Sequence, residues 1–212
     1  LQPQNTERFE GRASTCIDGA GTAFCAVYGV DSFLGRTLFI FEGSFNEAVW
    51  QWRRRPNATA FIPFTERSLD SVRMLCDRAS GVLYLVFTRR PELYEGRIQF
   101  VRSTDAGASW SAPLELSGSL CNTAQLALGP EGELYVVWED YAQGAIVGRK
   151  SVDRGATFGA PFVLASINDN VGFGPSGWEA SFSHAGMLPN LPCMTFPAFL
   201  GVATDTSDGP HR

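Results

Sequence analysis

The absences in this sequence narrow its reading first. No apolar run approaches the roughly 20 residues that a membrane-crossing helix needs; GVLYLVF at 81–87 has only the length of a strand. No stretch sustains the helical period of apolar residues. Charge is sparse at 18% and its balance is −5, which argues against nucleic acid and anionic membranes as general partners, since both call for a basic surface. The histidines, His184 and His211, and the five cysteines form no CxxC or HxxxH spacing, and no glycine-rich phosphate loop is present. No metal and no cofactor are therefore implied. The chain opens at Leu1 without an initiator methionine or a signal-like apolar stretch, which reads as a mature product or a fragment.

Glycine and proline are plentiful, at 22 and 12, and aromatics make up 12%. Such a composition suits many short strands joined by tight turns. Five cysteines cannot all pair within the chain. Cys16 and Cys25 flank IDGAGTAF, and a tight hairpin there sets them opposite each other, so the pair reads either as a disulfide or as two buried free thiols. Asn57-Ala58-Thr59 is a lone glycosylation sequon.

Internal repetition organises the rest. STDAGASWSAPLELS (103–117) lies over SVDRGATFGAPFVLA (151–165) without a gap. Ahead of each copy comes a glycine turn followed by an aromatic and β-branched run, and a similar run opens an earlier unit: GTAFCAVY (21–28), GVLYLVF (81–87) and GELYVVW (132–138). Short apolar strands precede these glycines at 13–18, 72–77 and 124–129, and third strands follow at 36–43, 97–103 and 145–151. Fourth strands are expected at 111–117 and 159–165, with ATAFIPF (58–64) as a weaker first copy. Repeated four-stranded antiparallel units are the signature of propeller blades. The fold expected is an all-β propeller in a single incomplete domain, with blades at about 12–65, 71–117 and 123–165, an inserted loop at about 166–197, and the start of a fourth blade at about 198–212.

Within the repeat, Ser103, Asp105, Gly107 and Trp110 match Ser151, Asp153, Gly155 and Phe158. A short acid accepts nearby backbone N–H groups, and glycine supplies a turn angle that side chains disfavour. One acid and one serine are too few oxygens for a calcium loop, so the motif reads as a structural corner. The pattern S-x-D-x-G-x-x-[WF], twice and each time between a third and a fourth strand, resembles the Asp box of the sialidase (neuraminidase) superfamily. That resemblance implies the same structural role, remote from any active site. It also implies a first catalytic arginine at the head of the first strand, matched by Arg12 ahead of Gly21-Thr22, although Ala13-Ser14 stands where the family has Ile-Pro. An acid/base in the following loop corresponds to Asp31.

Up-and-down strands put the box turns on one face and the second-to-third loops on the other. The latter loops, 29–35, 88–96 and 139–144, together with the long stretch from about 166 to 197, carry Arg89, Arg90, Tyr94, Glu139, Asp140, Tyr141, Trp178 and His184 as candidates for ligand contact. Neither Tyr94 nor Tyr141 is marked as a nucleophile by its local pattern. WQWRRRP (50–56) reads as a solvated edge whose arginines alternate between faces. Two boxes and no complete catalytic set point to a secreted, periplasmic or cell-surface propeller segment that binds glycan or protein, or serves assembly. The alternative is the amino-terminal half of an exo-sialidase-like glycoside hydrolase. Since the sequence stops early in a fourth unit, a second polypeptide or a continuation of the chain is expected to complete the ring.

Overall fold

The computed structural model describes residues 7–46, 48–60, 68–92 and 95–166. They form three four-stranded antiparallel sheets and no helix. The first sheet holds β1 (Glu7–Ile17), β2 (Ala23–Asp31), β3 (Gly35–Asn46) and β4 (Val49–Arg55) in that order. The second holds β5 (Ser68–Cys76), β6 (Leu83–Arg90), β7 (Arg97–Ser103) and β8 (Leu114–Glu115). The third holds β9 (Cys121–Leu128), β10 (Leu134–Asp140), β11 (Ala145–Ser151) and β12 (Phe162–Ser166). No helix among the described residues is long and apolar enough to cross a membrane. Trp178 and His184, the expected insertion and the start of a fourth unit lie outside the described residues.

Strand β6 shows why an unbroken apolar run folds as a strand here. Successive side chains of a strand point to opposite faces. Leu83, Leu85 and Phe87 enter a core shared with the first sheet, where they meet Phe24, Leu38, Ile40 and Met74. Tyr84 and Val86 enter the other core and meet Leu134, Val136 and Trp138 of the third sheet. The second sheet is thus apolar on both faces because a sheet covers each of them. The sheets approach through their first strands, β1 against β5 and β5 against β9, and no comparable contact joins β4, β8 and β12. They converge on one side and spread on the other. Backbone sets the spacing at both seams: a side chain on Gly19 would overlap the Arg78 carbonyl, and one on Gly96 would overlap the Cys121 carbonyl.

The two boxes are superimposable in their bonding. Ser103 Oγ donates to Asp105 Oδ1 at 2.7 Å and accepts from Gly107 N at 2.8 Å. Ser151 makes the same pair with Asp153 and Gly155 at 2.7 and 2.8 Å. The far oxygen of each acid takes a hydroxyl, Ser109 at 2.5 Å and Thr157 at 2.6 Å. These bonds, the Ser109 hydroxyl foremost, hold the Asp105 carboxyl down at about 2; Asp153 is lowered in the same way, chiefly by Thr157. Both glycines have positive φ, 77° and 74°, and so do the preceding Ala106 and Arg154 at 54° and 55°. The box aromatics reach the seam with the preceding sheet. Trp110 packs on the first core, and Phe158 meets the edge of Phe100 with centroids 5.0 Å apart.

Two expectations are corrected. The fourth strand of the first sheet is Val49–Arg55, not ATAFIPF: β3 and β4 form one hairpin, registered from Ile40↔Arg55 to Asn46↔Val49. Arg53 and Arg55 lie on one face and pair with Glu42, while Arg54 lies on the other over the Phe39 ring at 4.5 Å. Within 58–64, the Ala58 backbone N–H donates to the Leu38 carbonyl at 3.1 Å. Cys16 and Cys25 are not opposite each other. Asp18 closes the turn by accepting from Ala20 N and Thr22 N, which sets Ile17 against Ala23, Cys16 against Phe24 and Cys25 against Thr15. The two thiols therefore face opposite sides of the sheet, and both are free.

The boxes generate a test. A methyl on Gly107 meets nothing nearer than Leu83 Cδ1 at 3.6 Å, whereas one on Gly155 falls 2.6 Å from Phe100 Cζ inside the core. Gly107→Ala is expected to cost about 1 kcal/mol of backbone strain, and Gly155→Ala about 2–4 kcal/mol from strain plus overpacking. Urea unfolding of the two variants checks the order; equal losses would remove the role given to Phe100.

Candidate functional site

Opposite the boxes, β-bulges shape the seam between the second and third sheets. The β5–β6 register shifts between Asp70 and Arg73, and the β9–β10 register shifts between Val137 and Glu139. Ser71 and Thr123 lie in these bulges with φ of 52° and 58°. A left-handed residue with a side chain costs about 1–2 kcal/mol, and bulges commonly re-aim side chains next to binding sites. Here they aim hydroxyls into the seam. Asn122 Oδ1 accepts from Ser71 Oγ at 3.1 Å and from Thr88 Oγ1 at 3.2 Å, joining the two sheets. Glu139 Oε2 accepts from Thr123 Oγ1 at 3.0 Å and from the Tyr141 hydroxyl at 2.5 Å.

The cluster is buried, and Glu139 is only 4% exposed. Burial penalises an ionised carboxyl, and it pushes the Glu139 pKa up against the pull of the Tyr141 and Thr123 hydroxyls. Burial also raises the Tyr141 phenol, and the Glu139 charge adds to this while the Arg90 charge opposes it. The phenol is the hydrogen-bond donor of the pair and the Glu139 carboxyl the acceptor. Arg90 follows Tyr84, Val86 and Thr88 on the β6 face turned toward the third sheet, and it is buried. Arg89 alternates onto the opposite face, half-buried.

Of the residues expected from sequence, the structure bonds Tyr141 to Glu139 and leaves the Arg90 charge near enough to act on the Tyr141 phenol. Asp140 is buried too, but its two oxygens accept from Gln143 N at 3.0 Å and Gln143 Nε2 at 2.7 Å, fixing the β10–β11 turn. Asp31 Oδ1 similarly accepts from Phe33 N at 2.9 Å and Leu34 N at 3.0 Å in its own loop. Arg12 lies in β1, within the irregular stretch between Phe9 and Ala13; its side chain, like Tyr94, falls outside the described residues. Ser71, Thr88, Asn122 and Thr123 were missed. One signal was there: polar pairs, Asp70-Ser71 and Asn122-Thr123, open the first strands of two consecutive units. Among the described residues no group of His, Cys, Asp and Glu has the makings of a metal site.

No family model matches the chain, and no curated protein sequence does. Solved structures do. An exo-β-1,3-galactanase from Clostridium thermocellum aligns with a TM-score of 0.55 at 8% identity, over 73% of this chain and 37% of the other. A protein of unknown function from Dyadobacter fermentans gives 0.53 at 17% identity, over 71% and 50%. An α-L-arabinofuranosidase from Fusarium graminearum gives 0.52 at 13% identity, over 76% and 49%. What is shared is the fold. The chain spans half or less of the length of these structures.

The buried carboxyl sets a pH dependence. A Glu whose folded pKa is raised keeps a proton that the unfolded chain has already released, so stability falls as pH rises from the ordinary value of 4.5 through the raised one. The melting temperature of the wild type is expected to decline across that window, and that of Glu139→Gln to decline less. Parallel profiles would show that Glu139 is not the group responsible.

Proposed function

We propose that this chain is a portion of a β-propeller, secreted or at a cell surface, and that the end opposite its Asp boxes binds carbohydrate. Support for the propeller comes from three consecutive four-stranded sheets that converge along their first strands, with in-phase boxes on the second and third. The face of the first sheet turned away from the second is rich in exposed apolar side chains: Ile17, Phe45, Trp50 and Trp52. We read it as the seat of a further sheet, supplied by more of the chain or by a second polypeptide.

The observation that carries the binding reading is the Glu139–Tyr141 pair at the seam, with the Arg90 charge acting on the phenol. Cations, carboxylates and phenols held rigidly at strand ends form directional contacts with sugar hydroxyls, and rigid partners lose little entropy on binding. Tyr141 is the half-buried member, so it reaches the surface from which a ligand arrives. Two of the structural neighbours named above are, by their descriptions, enzymes of carbohydrates. On a glycan array the wild-type protein is expected to select a subset of glycans. Tyr141→Phe is expected to weaken that binding about 3- to 10-fold, the worth of one or two hydrogen bonds, with Asp105→Asn as the far-face control. A protein that selects no glycan, or variants that bind alike, would end this reading.

A second reading rests on the 2.5 Å bond between the Tyr141 phenol and the Glu139 carboxylate, in the field of Arg90. A tyrosine nucleophile with a carboxylate beside it is the arrangement by which sialidases cleave glycosides. In that case the chain contributes to an exo-sialidase-like glycosidase in which Arg12 and Asp31 take the carboxylate-gripping and acid/base roles. A fluorogenic sialoside is then hydrolysed by the intact protein, and both Asp31→Asn and Tyr141→Phe abolish turnover. Unchanged rates in both variants would dismiss the catalytic reading while leaving the binding one standing.

A further inference from the structure

Two thiols meet where the first and second sheets converge. Strands β1 and β5 run side by side: Met74 N donates to Ser14 Oγ at 2.9 Å, an offset of 60 residues, and just beyond the strands Gly19 lies against the Arg78 carbonyl. Two residues beyond Ser14 and Met74, on the same faces, stand Cys16 and Cys76. Cys16 shares its face with Phe24, and Cys76 shares its face with Leu83; both face the core between the sheets. Cys16 packs against the core cluster that contains Cys76, near enough for each thiol to influence the other's titration. Cys25, the sequence neighbour of Cys16, lies on the other side of the first sheet, opposite Thr15.

We propose that Cys16 and Cys76 close into a disulfide under oxidising conditions and so tie the first strand of the first sheet to the first strand of the second. With oxidised glutathione as the oxidant, one of the two thiolates attacks one glutathione sulfur and expels a glutathione thiolate. The other thiolate then attacks the protein sulfur of that mixed disulfide and expels the second glutathione thiolate. Two S–H bonds are lost and one S–S bond is made; two electrons reduce the glutathione disulfide to two thiols, which take up the two protons. Burial lifts both thiols well above their ordinary range, Cys76 to about 11 and Cys16 to about 12. The Asp18 charge disfavours both thiolates, Asp77 that of Cys76, and Arg78 favours that of Cys76. Oxidation is therefore slow at neutral pH and accelerates with alkalinity.

The test uses the full chain, reduced and then incubated with oxidised glutathione. Trypsin releases peptide 13–36, which contains both Cys16 and Cys25, and peptide 74–78, which contains Cys76. The expected product joins these two peptides and still forms in Cys25→Ser, which assigns the link to Cys16. Closing so long a loop is expected to raise the melting temperature by about 5–15 °C, reversed by reductant. Cys76→Ser is expected to lose both the link and the rise, whereas Cys121→Ser keeps them. A Cys16–Cys25 bridge within peptide 13–36, glutathione adducts without a cross-link, or a cross-link that leaves the melting temperature unmoved would overturn the proposal. Because the linkage is read on the unsubstituted protein, a variant that fails to fold does not blunt the test.

Discussion

A strand between two neighbouring sheets has no solvent side, and this constraint governs most of what the molecule does. Leu83 to Phe87 are all buried, yet they fall into two separate cores by turns. A side chain of this kind is worth about 1.5–3 kcal/mol when fully removed from water, so five in succession commit the segment to a place with cover on both sides. Polarity is then displaced to the ends of the strands. At one end it is spent on corners; at the other it collects in a buried, hydrogen-bonded cluster.

The corners were legible because everything that makes them is local. In each box a serine, an acid, a glycine and a second hydroxyl satisfy one another within seven residues, so the pattern survives any uncertainty about tertiary packing. Strand order and the division into two loop faces followed from the same repeat. The first unit was harder to read. It has a hairpin tip in place of a box, and the competing run at 58–64 looked more like the fourth strands elsewhere. The Cys16–Cys25 pairing failed by one residue, because Asp18 fixes a turn whose register no count of intervening residues discloses.

The polar seam was legible only in outline. Topology placed Arg90, Glu139 and Tyr141 at the same end, but their meeting depends on bulges and on partners such as Ser71 and Asn122, which lie 51 residues apart. Burial of Glu139 likewise needs Thr123, a residue whose φ of 58° nothing in its neighbourhood announces. Such a cluster is affordable because each carboxylate and amide oxygen named has its donors; the same groups unpaired would cost more than the strained bulges that bring them together.

Gly19 and Gly96 give the assembly a mechanical property. At one seam and then the next, main chain lies against main chain, with no side chain between to act as a cushion. The angle from each sheet to the next is therefore a hard stop, insensitive to repacking of the leucines and phenylalanines farther out. Any change in the angle between neighbouring sheets would have to begin at these bare positions, before substitutions in the cores could matter.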